Sequence, residues 1–338
     1  MVELLAKLSN LNGVSGCEND VRNFILSQIK PYADDIRVDN MGNIIALKKG
    51  KSGKRNILLS AHMDEVGFIV SKISDDGFIK FKNVGDVEIR NIVSKCVKIN
   101  NTIDGILGMK AIHLQKKEER ETVVKTKDLY IDIGAKDKDE AKKRVSLGDY
   151  VSFSTKAFFA GDKIIGKALS SRCGCVCLMD AMKYEYEDNI YFTFTAQREV
   201  GMRGASVVAY GLDIDMALVI DAVESGDMYG VDKNNKTADT GFGVCVDFMD
   251  KYSILNNTLS NKIFYEFKSA NIDVQKKHSS ISLTDAGAIQ RSCNGVLTAC
   301  ILIPVRYYHT PAEMVSKKDI FAMKSAVDLF IKKAGEWI

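Results

Sequence analysis

The sequence predicts an α/β fold interrupted by a smaller β-rich domain. Helix-like and strand-like hydrophobic patterns alternate near the start of the chain and again in its second half. Between these parts, the pattern changes to short alternating strands separated by turns such as Asp76-Gly77. A chain of 338 residues, of which 46% are hydrophobic, is long enough for about two domains. We therefore predict a discontinuous α/β domain, residues 1–67 and 163–338, around an inserted domain at residues 68–162.

The α/β domain is expected to begin with two helices and a group of strands. After a short first helix, Ser15 and Glu18 fit the S-x-x-E pattern of a capping box, and apolar residues then recur at helical spacing as far as Pro31. Apolar runs between turn residues predict the following strands. These runs are residues 36–38, 44–47, 57–59, 190–195, 216–220 and 296–303.

Four ligand-type residues follow predicted strands, and together they indicate a functional site. His62, Glu199, Asp221 and His309 each come directly after an apolar run or close to its end. In open α/β sheets, functional groups gather at the carboxyl ends of the strands. A single such residue is more often a cap or a structural group, but four together favour a site.

Charge and cysteine content narrow the classes of function. The chain has 47 basic and 44 acidic residues, a formal charge of +3, which argues against a dedicated nucleic-acid or membrane surface. Its eight cysteines lack the spacing of a disulfide framework, so we expect reduced thiols and a cytoplasmic location. The alternating Cys173, Cys175 and Cys177 do not have the usual spacing of a zinc site, and packing in the core is the favoured interpretation.

Six segments give the sequence a resemblance to a known family over almost its whole length. They are Gly13-Val14-Ser15-Gly16, His62-Met63-Asp64-Glu65-Val66-Gly67, Gly166-Lys167-Ala168-Leu169, Glu199-Val200-Gly201-Met202-Arg203-Gly204-Ala205, Thr284-Asp285-Ala286-Gly287-Ala288 and Arg306-Tyr307-Tyr308-His309-Thr310-Pro311. In order and spacing, the chain resembles the tetrahedral-complex (TET) aminopeptidases. These are co-catalytic zinc metallopeptidases that include glutamyl and deblocking aminopeptidases and relatives once labelled endoglucanase or cellulase M.

The resemblance implies a fold, a metal centre and an assembly. It implies a zinc-aminopeptidase-like α/β domain with a central mixed sheet flanked by helices, interrupted by a β-barrel-like dimerisation domain. It implies a divalent metal, zinc or cobalt, and short peptides as ligands. His62 and Asp221 would bind one metal, Glu199 and His309 the other, and Asp64 would orient His62. A homo-oligomer, from a dimer to a tetrahedral dodecamer, would be expected.

Two positions depart from the family pattern. The family places an aspartate that bridges both metals directly after Gly-Lys-Ala-Leu, where this chain has Ser170, followed by Ser171. The family's general base is the glutamate that precedes the ligand Glu199, and here that residue is Arg198. A serine offers only a neutral hydroxyl, and a guanidinium cannot accept a proton from water. A bridging carboxylate and a general base are therefore both missing.

Two functions from different classes remain compatible with these substitutions. In the first, Arg198 replaces the metals by pairing with Glu199 or Asp221, hydrolysis is lost or strongly impaired, and the protein binds peptides or serves in an assembly, alone or with an active paralogue. In the second, Arg198 turns to solvent, an acid such as Glu224 or Asp227 takes over, and the chain is an active aminopeptidase with one metal or a non-standard base.

Residues around the expected peptide site also differ from the pattern. The segment before Thr284 is Ile281-Ser282-Leu283, where the family is rich in glycine, so Leu283 adds bulk near the substrate. His278 is expected to be an exposed loop residue, and His113 to be structural or solvated. Glu65 is a further acid whose side chain we expect to point away from the metal position.

Overall fold

The structure is a computed structural model that describes residues 1–232, 236–278 and 282–338. Its helices are α1 (Val2–Ser9), α2 (Asn19–Ile29), α3 (Lys117–Glu121), α4 (Lys138–Lys142), α5 (Leu169–Ala181), α6 (Ala205–Val208), α7 (Asn257–Ser269), α8 (Ala286–Gln290) and α9 (Lys317–Lys333). Its first nine strands are β1 (Asp35–Val38), β2 (Ile44–Lys48), β3 (Asn56–His62), β4 (Gly67–Ile73), β5 (Ile79–Val84), β6 (Cys96–Ile99), β7 (Ile103–Met109), β8 (Leu129–Asp132) and β9 (Tyr150–Phe153). The later strands are β10 (Phe158–Ala160), β11 (Lys163–Gly166), β12 (Asn189–Thr195), β13 (Met216–Glu224), β14 (Val244–Val246), β15 (Val274–Lys276), β16 (Leu297–Val305) and β17 (Glu313–Ser316).

A large mixed sheet forms the centre of the α/β part. Within the described residues, the sheet has eight strands in the order β1-β2-β12-β3-β13-β16-β14-β15. The four central strands β12, β3, β13 and β16 run parallel to their neighbours in this group. Their carboxyl ends therefore lie at one edge of the sheet, where a site is expected.

Helices cover both faces of this sheet, as the alternating side chains of β3 illustrate. Ile57 and Leu59 belong to the core that packs against α1, α2, α5, α7 and α9, whereas Leu58 belongs to the core on the side of α6 and α8. This alternation follows from the two-residue period of a strand. The predicted α/β class is confirmed, and both faces of the sheet are buried.

The inserted segment forms a closed antiparallel barrel. Its strands follow the order β4-β5-β8-β7-β6-β9, and Phe68, Phe81 and Phe153 pack together in its core. The barrel strands span residues 67–153. The predicted β-barrel-like domain is thereby confirmed as an architecture. Its role in dimerisation stays a prediction.

The segment after the barrel joins a second, smaller sheet. Strand β10 pairs with β11, and β11 pairs with β17 near the end of the chain. This three-stranded sheet brings residues 158–166 next to residues 313–316, which follow His309 closely. The division of the chain at residues 68 and 162 stays a prediction.

The predicted capping box at α2 is wrong. The helix begins at Asn19 with Glu18 as its N-cap residue, and no side chain caps it. The hydroxyl of Ser15 instead donates a hydrogen bond to Asp64, which lies 49 residues later in the chain. Glu18 accepts from the backbone N–H groups of Gly16 and Gln197. Both side chains thus hold the site region together rather than the start of the helix.

The predicted packing of the three alternating cysteines is confirmed. Cys173, Cys175 and Cys177 are fully buried in α5, and Cys175 Sγ donates to the carbonyl oxygen of His62 at 3.1 Å. Burial raises the pKa of Cys175 to about 12, so its thiolate is scarce near neutral pH.

We therefore expect thiol reagents to modify Cys96 and Cys293, which are exposed, long before the three cysteines of α5. The measurement is peptide mapping by mass spectrometry after brief alkylation of the native protein, with urea-unfolded protein as the control in which every cysteine reacts. Early modification of Cys175 in the native protein would contradict the packing of α5 described above.

Among the helices in the described parts of the chain, none is long and apolar enough to cross a membrane.

Candidate functional site

The predicted site residues lie at the carboxyl edge of the four central strands. His62 ends β3, Asp221 lies near the end of β13, Arg198 and Glu199 follow β12, and His309 follows β16. Because these strands are adjacent and parallel, residues from distant parts of the sequence meet there. The structure brings together every residue that the sequence placed in the site.

Helix α5 adds Ser170 to this edge. Gly174 lets the helix approach the sheet, since a Cβ atom there would lie 2.9 Å from Ala61 Cβ and 3.0 Å from the carbonyl oxygen of Ile220. The first turn of α5 is buried, and Ser170 is only 4% exposed. Its backbone N–H donates to Glu313 Oε2 at 2.8 Å and its hydroxyl to Glu313 Oε1 at 3.1 Å. The hydroxyl of Ser170 is therefore occupied by Glu313.

Several backbone conformations at the site are unusual for residues with side chains. Ala168, Gln197, Tyr307 and His309 have φ angles between 54° and 57°, in the left-handed region. Non-glycine residues adopt this region at an energetic cost, and such residues cluster at functional sites. The chain segments that present Ser170, Arg198 and His309 thus share a feature typical of functional sites.

An ion-pair cluster occupies the centre of the site, and we call it the arginine cluster. Its members are His62, Asp64, Asp221, Arg198, Glu199 and His309. Arg198 Nη1 lies 2.8 Å from Glu199 Oε2, and Arg198 Nη2 lies 3.3 Å from Asp221 Oδ2. Arg198 is only 2% exposed. Its guanidinium therefore points inward and joins the two carboxylates that the family resemblance assigns to different metals.

The two histidines complete the arginine cluster on either side. His62 Nε2 lies 3.5 Å from Asp221 Oδ1, and His62 Nδ1 lies 3.2 Å from Asp64 Oδ1. His309 Nε2 lies 3.2 Å from Glu199 Oε1. Asp64 also accepts the backbone N–H of Glu199 at 2.9 Å. Asp64 thus lies where a carboxylate can orient His62, and it also fixes the segment that carries Arg198.

The charges of the arginine cluster balance one another. Burial alone would lower the pKa of His62, but Asp221 and Asp64 raise it to about 10. Burial would also lower the pKa of His309, which Glu199 raises instead. Burial raises the pKa of a carboxyl group, yet Arg198 together with the histidines holds the pKa values of Glu199 and Asp221 below their usual range. With both imidazoles protonated, three cations face three carboxylates.

Two further groups fix the guanidinium of Arg198. Its Nη2 atom donates to the carbonyl oxygen of Leu283 and lies 3.2 Å from the hydroxyl of Tyr308. The ring of Tyr308 stacks on that of His309, with centroids 3.9 Å apart. These contacts hold the guanidinium plane between the strand ends.

The segment of Leu283 is itself held by buried polar contacts. Lys277 Nζ donates to Ser282 Oγ at 2.6 Å and pairs with Asp247 at 2.8 Å. On the other side of Leu283, Asp250 accepts the backbone N–H of Thr284 at 3.0 Å. The sequence predicted that Leu283 adds bulk near the substrate. Its carbonyl oxygen has a second role, because it accepts a hydrogen bond from Arg198. Ile281, from the same predicted segment, lies outside the described residues.

The donor set does not fit a two-metal centre in this arrangement. Within residues 1–232, 236–278 and 282–338, no three His, Cys, Asp or Glu side chains are grouped so that they could hold a metal ion. The small cavity beside Ser170, Glu199, His309 and Glu313 has a volume of about 10 Å³, room for roughly one water molecule. A guanidinium within 3.3 Å of two ligand carboxylates would have to leave before cations could replace it.

None of the acids considered as replacements belongs to the arginine cluster. Asp227 is held by Arg306, whose Nε and Nη2 atoms donate to it at 2.9 and 2.6 Å. Glu224 is exposed at the end of β13. Glu65 accepts from Lys167 Nζ at 2.6 Å and from the backbone N–H of Gly13 at 2.7 Å. All three are outside the arginine cluster.

The other two histidines lie on the surface. His278 and His113 are exposed, which agrees with the predictions for these residues.

Sequence reasoning missed three residues of the site. Tyr308 contacts Arg198, Glu313 binds Ser170, and the buried carboxyl of Asp285 accepts from Thr195 Oγ1 at 2.6 Å. Burial raises the pKa of Asp285 to about 6. Tyr308 and Asp285 lie inside two of the motifs quoted for the resemblance, and Glu313 follows His309 by four residues. The position of these residues in or near the motifs was the signal by which the sequence could have assigned them to the site.

The fold and the site define an α/β domain of the aminopeptidase type with an inserted barrel. A family model described as M42 glutamyl aminopeptidase matches residues 42–325. This chain belongs to that family. A relative from Acetivibrio thermocellus, provisionally named an aminopeptidase, is 36% identical over 334 residues, which cover 98% of each chain.

Solved structures agree with this assignment. An aminopeptidase from the archaeon Desulfurococcus kamchatkensis superposes with a TM-score of 0.94 at 30% identity, over 99% of this chain and 95% of that one. The TET1 peptidase of Pyrococcus horikoshii, which can assemble into a tetrahedron or a large octahedral shell, gives 0.86 at 29% identity, over 98% and 99%. The zinc-aminopeptidase-like fold predicted from the motifs is thereby confirmed.

Proposed function

We propose that this protein keeps the aminopeptidase scaffold but has lost, or nearly lost, the ability to hydrolyse peptides. Its role would be to bind peptides or to serve in an assembly. The observation that carries this proposal is the position of Arg198, whose guanidinium pairs with Glu199 and Asp221 at 2.8 and 3.3 Å. Those carboxylates belong to the set that would otherwise hold two metal ions.

Electrostatics explain why the two substitutions belong together. Two divalent ions about 3.5 to 4 Å apart repel each other and need a shared carboxylate or hydroxide between them. Ser170 supplies no such charge, and its hydroxyl is bonded to Glu313. Without metals or Arg198, the buried carboxylates of Asp64, Glu199 and Asp221 would face only the two imidazoles, and one negative charge would be left uncompensated, which is costly. Arg198 offsets that charge, so loss of the bridge and gain of the arginine compensate each other.

The missing general base supports the same proposal. In the family pattern, a glutamate at the position of Arg198 accepts the proton of the attacking water. A guanidinium stays protonated under ordinary conditions, and the carboxylates near Arg198 raise its pKa further against the effect of burial. We therefore propose that zinc or cobalt is absent or at reduced occupancy in the native protein.

Family members in solved structures support a proposal about assembly. The Pyrococcus horikoshii relative forms closed shells, and this chain shares its fold with a TM-score of 0.86. We propose a cytoplasmic homo-oligomer, between a dimer and a tetrahedral dodecamer. A second possible arrangement is a mixed complex with an active paralogue. In such a complex, the non-hydrolysing subunit would bind peptides that the active paralogue hydrolyses. Short peptides are its proposed ligands.

One observation favours the alternative, an aminopeptidase that works with a single metal. His62 Nε2, Asp221 Oδ2 and His309 Nε2 are buried and make no hydrogen bond in the described structure, although each lies in an ion pair of the arginine cluster. Such atoms are the donors that zinc prefers. If Arg198 were displaced, His62 and Asp221 would remain as two ligands of one site.

The test is metal retention by the stripped protein. We expect purified protein, depleted with a chelator, to retain well below about one ion per chain after incubation with excess zinc or cobalt and removal of free ion, because each subsite has fewer than the usual three ligands. Elemental mass spectrometry measures the ratio. The same samples should release no amino acid from amino-acid amides. Stoichiometric metal together with chelator-sensitive release would show the alternative function to be the correct one.

A further inference from the structure

A cleft next to the arginine cluster has the size of a ligand site. It has a volume of about 380 Å³ and lies between the barrel and the carboxyl edge of the sheet. The barrel side contributes residues 86–90 and 123–124, and the α/β side contributes Glu224, Tyr308 and His309. Small-molecule sites typically occupy about 300 to 1,000 Å³. The cleft can therefore hold one side chain of a bound peptide together with adjoining backbone.

Two carboxylates that line the cleft have no charged partner among the described residues. Glu88 and Arg90 neutralise each other, because Arg90 Nε and Nη2 donate to Glu88 at 2.8 and 2.7 Å. The carboxylates of Asp86 and Glu224 are exposed, and neither has a hydrogen bond or an ion pair with another residue of the described chain. Two free carboxylates thus face the cleft from opposite walls.

The remaining walls suit the uncharged part of a ligand. Val87 is buried in the wall, and Val123 exposes 67% of its surface there. Tyr308 also lines the cleft, and its ring is fixed by its stacking on His309 and by the contact of its hydroxyl with Arg198. One face of this ring is covered by His309, and the other face of a fixed aromatic ring can attract a cation. An aliphatic stem that ends in a positive charge matches these walls.

We infer that this cleft binds the first side chain of a peptide and selects a basic residue, lysine or arginine. The inference rests on the proposed function, since it assigns the peptide class that the non-hydrolysing site holds. The side chain stem packs against Val87 and Val123, and its charge lies between Asp86 and Glu224. The ring of Tyr308 forms part of the wall next to the arginine cluster.

Peptides that differ only in their first residue test this inference. Lys-Ala-Ala-Ala, norleucine-Ala-Ala-Ala and Glu-Ala-Ala-Ala, each with a fluorophore at the C-terminus, are titrated with the full-length protein and followed by fluorescence anisotropy. Norleucine keeps the aliphatic stem of lysine and removes its charge. We expect the lysine peptide to bind about five- to 25-fold more tightly than the norleucine peptide, since each exposed ion pair contributes up to about fivefold. The glutamate peptide should bind most weakly.

Variants locate the preference in the cleft. Asp86→Asn and Glu224→Gln should each reduce the ratio of lysine to norleucine affinity by up to about fivefold, and the ratio should fall in high salt. Glu187→Gln is the matched control, because Glu187 is exposed and precedes β12 at the opposite edge of the sheet. An unchanged ratio in both cleft variants would overturn the inference, and so would equal affinities for lysine and norleucine or a failure of all peptides to bind.

Acetylated peptides separate the two possible cations. If N-acetyl-lysine peptide keeps its preference over N-acetyl-norleucine peptide, the side chain is the group that binds the carboxylates. If the preference disappears, the amino terminus occupies the cleft, and the assignment to the side chain is wrong.

Mass spectrometry of the same samples with added zinc distinguishes this inference from the proposed function. Removal of the first residue would refute the loss of hydrolysis and leave the measured preference intact. Intact peptides without a preference would refute the inference alone.

Discussion

Restoring both acids, by Ser170→Asp together with Arg198→Glu, is expected to give a protein that binds two zinc ions per chain and releases N-terminal residues from peptides. The first change supplies the shared carboxylate that two adjacent cations need, and the second removes the guanidinium and supplies a general base. A positioned base alone typically contributes about 10²- to 10⁴-fold in rate. Elemental mass spectrometry and the amino-acid amide assay measure the two gains.

One single variant and a neutral pair serve as controls for this experiment. Ser170→Asp alone would place a carboxylate against Glu313, which now accepts two hydrogen bonds from Ser170 at 2.8 and 3.1 Å, and it would leave Arg198 in place. Ser170→Asn with Arg198→Gln has similar side-chain sizes without the charges. Neither should bind two zinc ions per chain or release N-terminal residues. If the charged double variant also fails to bind metal, the compensation between Ser170 and Arg198 is not what inactivates the site.

Removal of Arg198 alone should destabilise the protein strongly. In Arg198→Met, the carboxylates of Glu199 and Asp221 stay buried without their main partner, and the loss of one member of a buried ion pair typically costs about 3 to 5 kcal/mol. The free energy of unfolding, from urea titration in the presence of a chelator, is the measurement. Addition of zinc should restore part of the stability of this variant and have little effect on the wild type, because only in the variant do the buried carboxylates outnumber the cations of the cluster.

Arg203→Met is the matched control for this variant. Arg203 is exposed and lies outside the arginine cluster, so its substitution is expected to change the free energy of unfolding by no more than about 0.5 kcal/mol. Equal stability of the two methionine variants would mean that Arg198 does not compensate the buried carboxylates.

The sequence predicted those parts of the fold and the site that depend on local patterns. Apolar runs gave the central strands, and the ligand-type residues at their ends met because parallel neighbours share an edge. The sequence alone showed that Ser170 and Arg198 cannot serve as a bridging carboxylate and a general base, because the lack of a carboxylate does not depend on conformation. The inserted barrel was visible as a change in the spacing of strands and turns.

Contacts between distant segments could not be predicted in the same way. Ser15 and Glu18 have the spacing of a capping box, but the hydroxyl of Ser15 binds Asp64, a competing partner that local sequence does not reveal. The orientation of Arg198 depends on Leu283 and Tyr308, 85 and 110 residues away. The backbone carbonyl of Leu283 has no signature in the sequence, since every residue type carries that group.

The charge balance of the arginine cluster has a consequence for the life of the protein in a cell. Three cations of the chain itself face three carboxylates, so the folded state carries its own counter-ions. A protein that is stabilised by bound zinc loses folded population when the ion is scarce, because ligand binding and folding are linked. If the native protein holds no zinc, as proposed above, this link is absent, and the folded population is expected not to fall during zinc starvation.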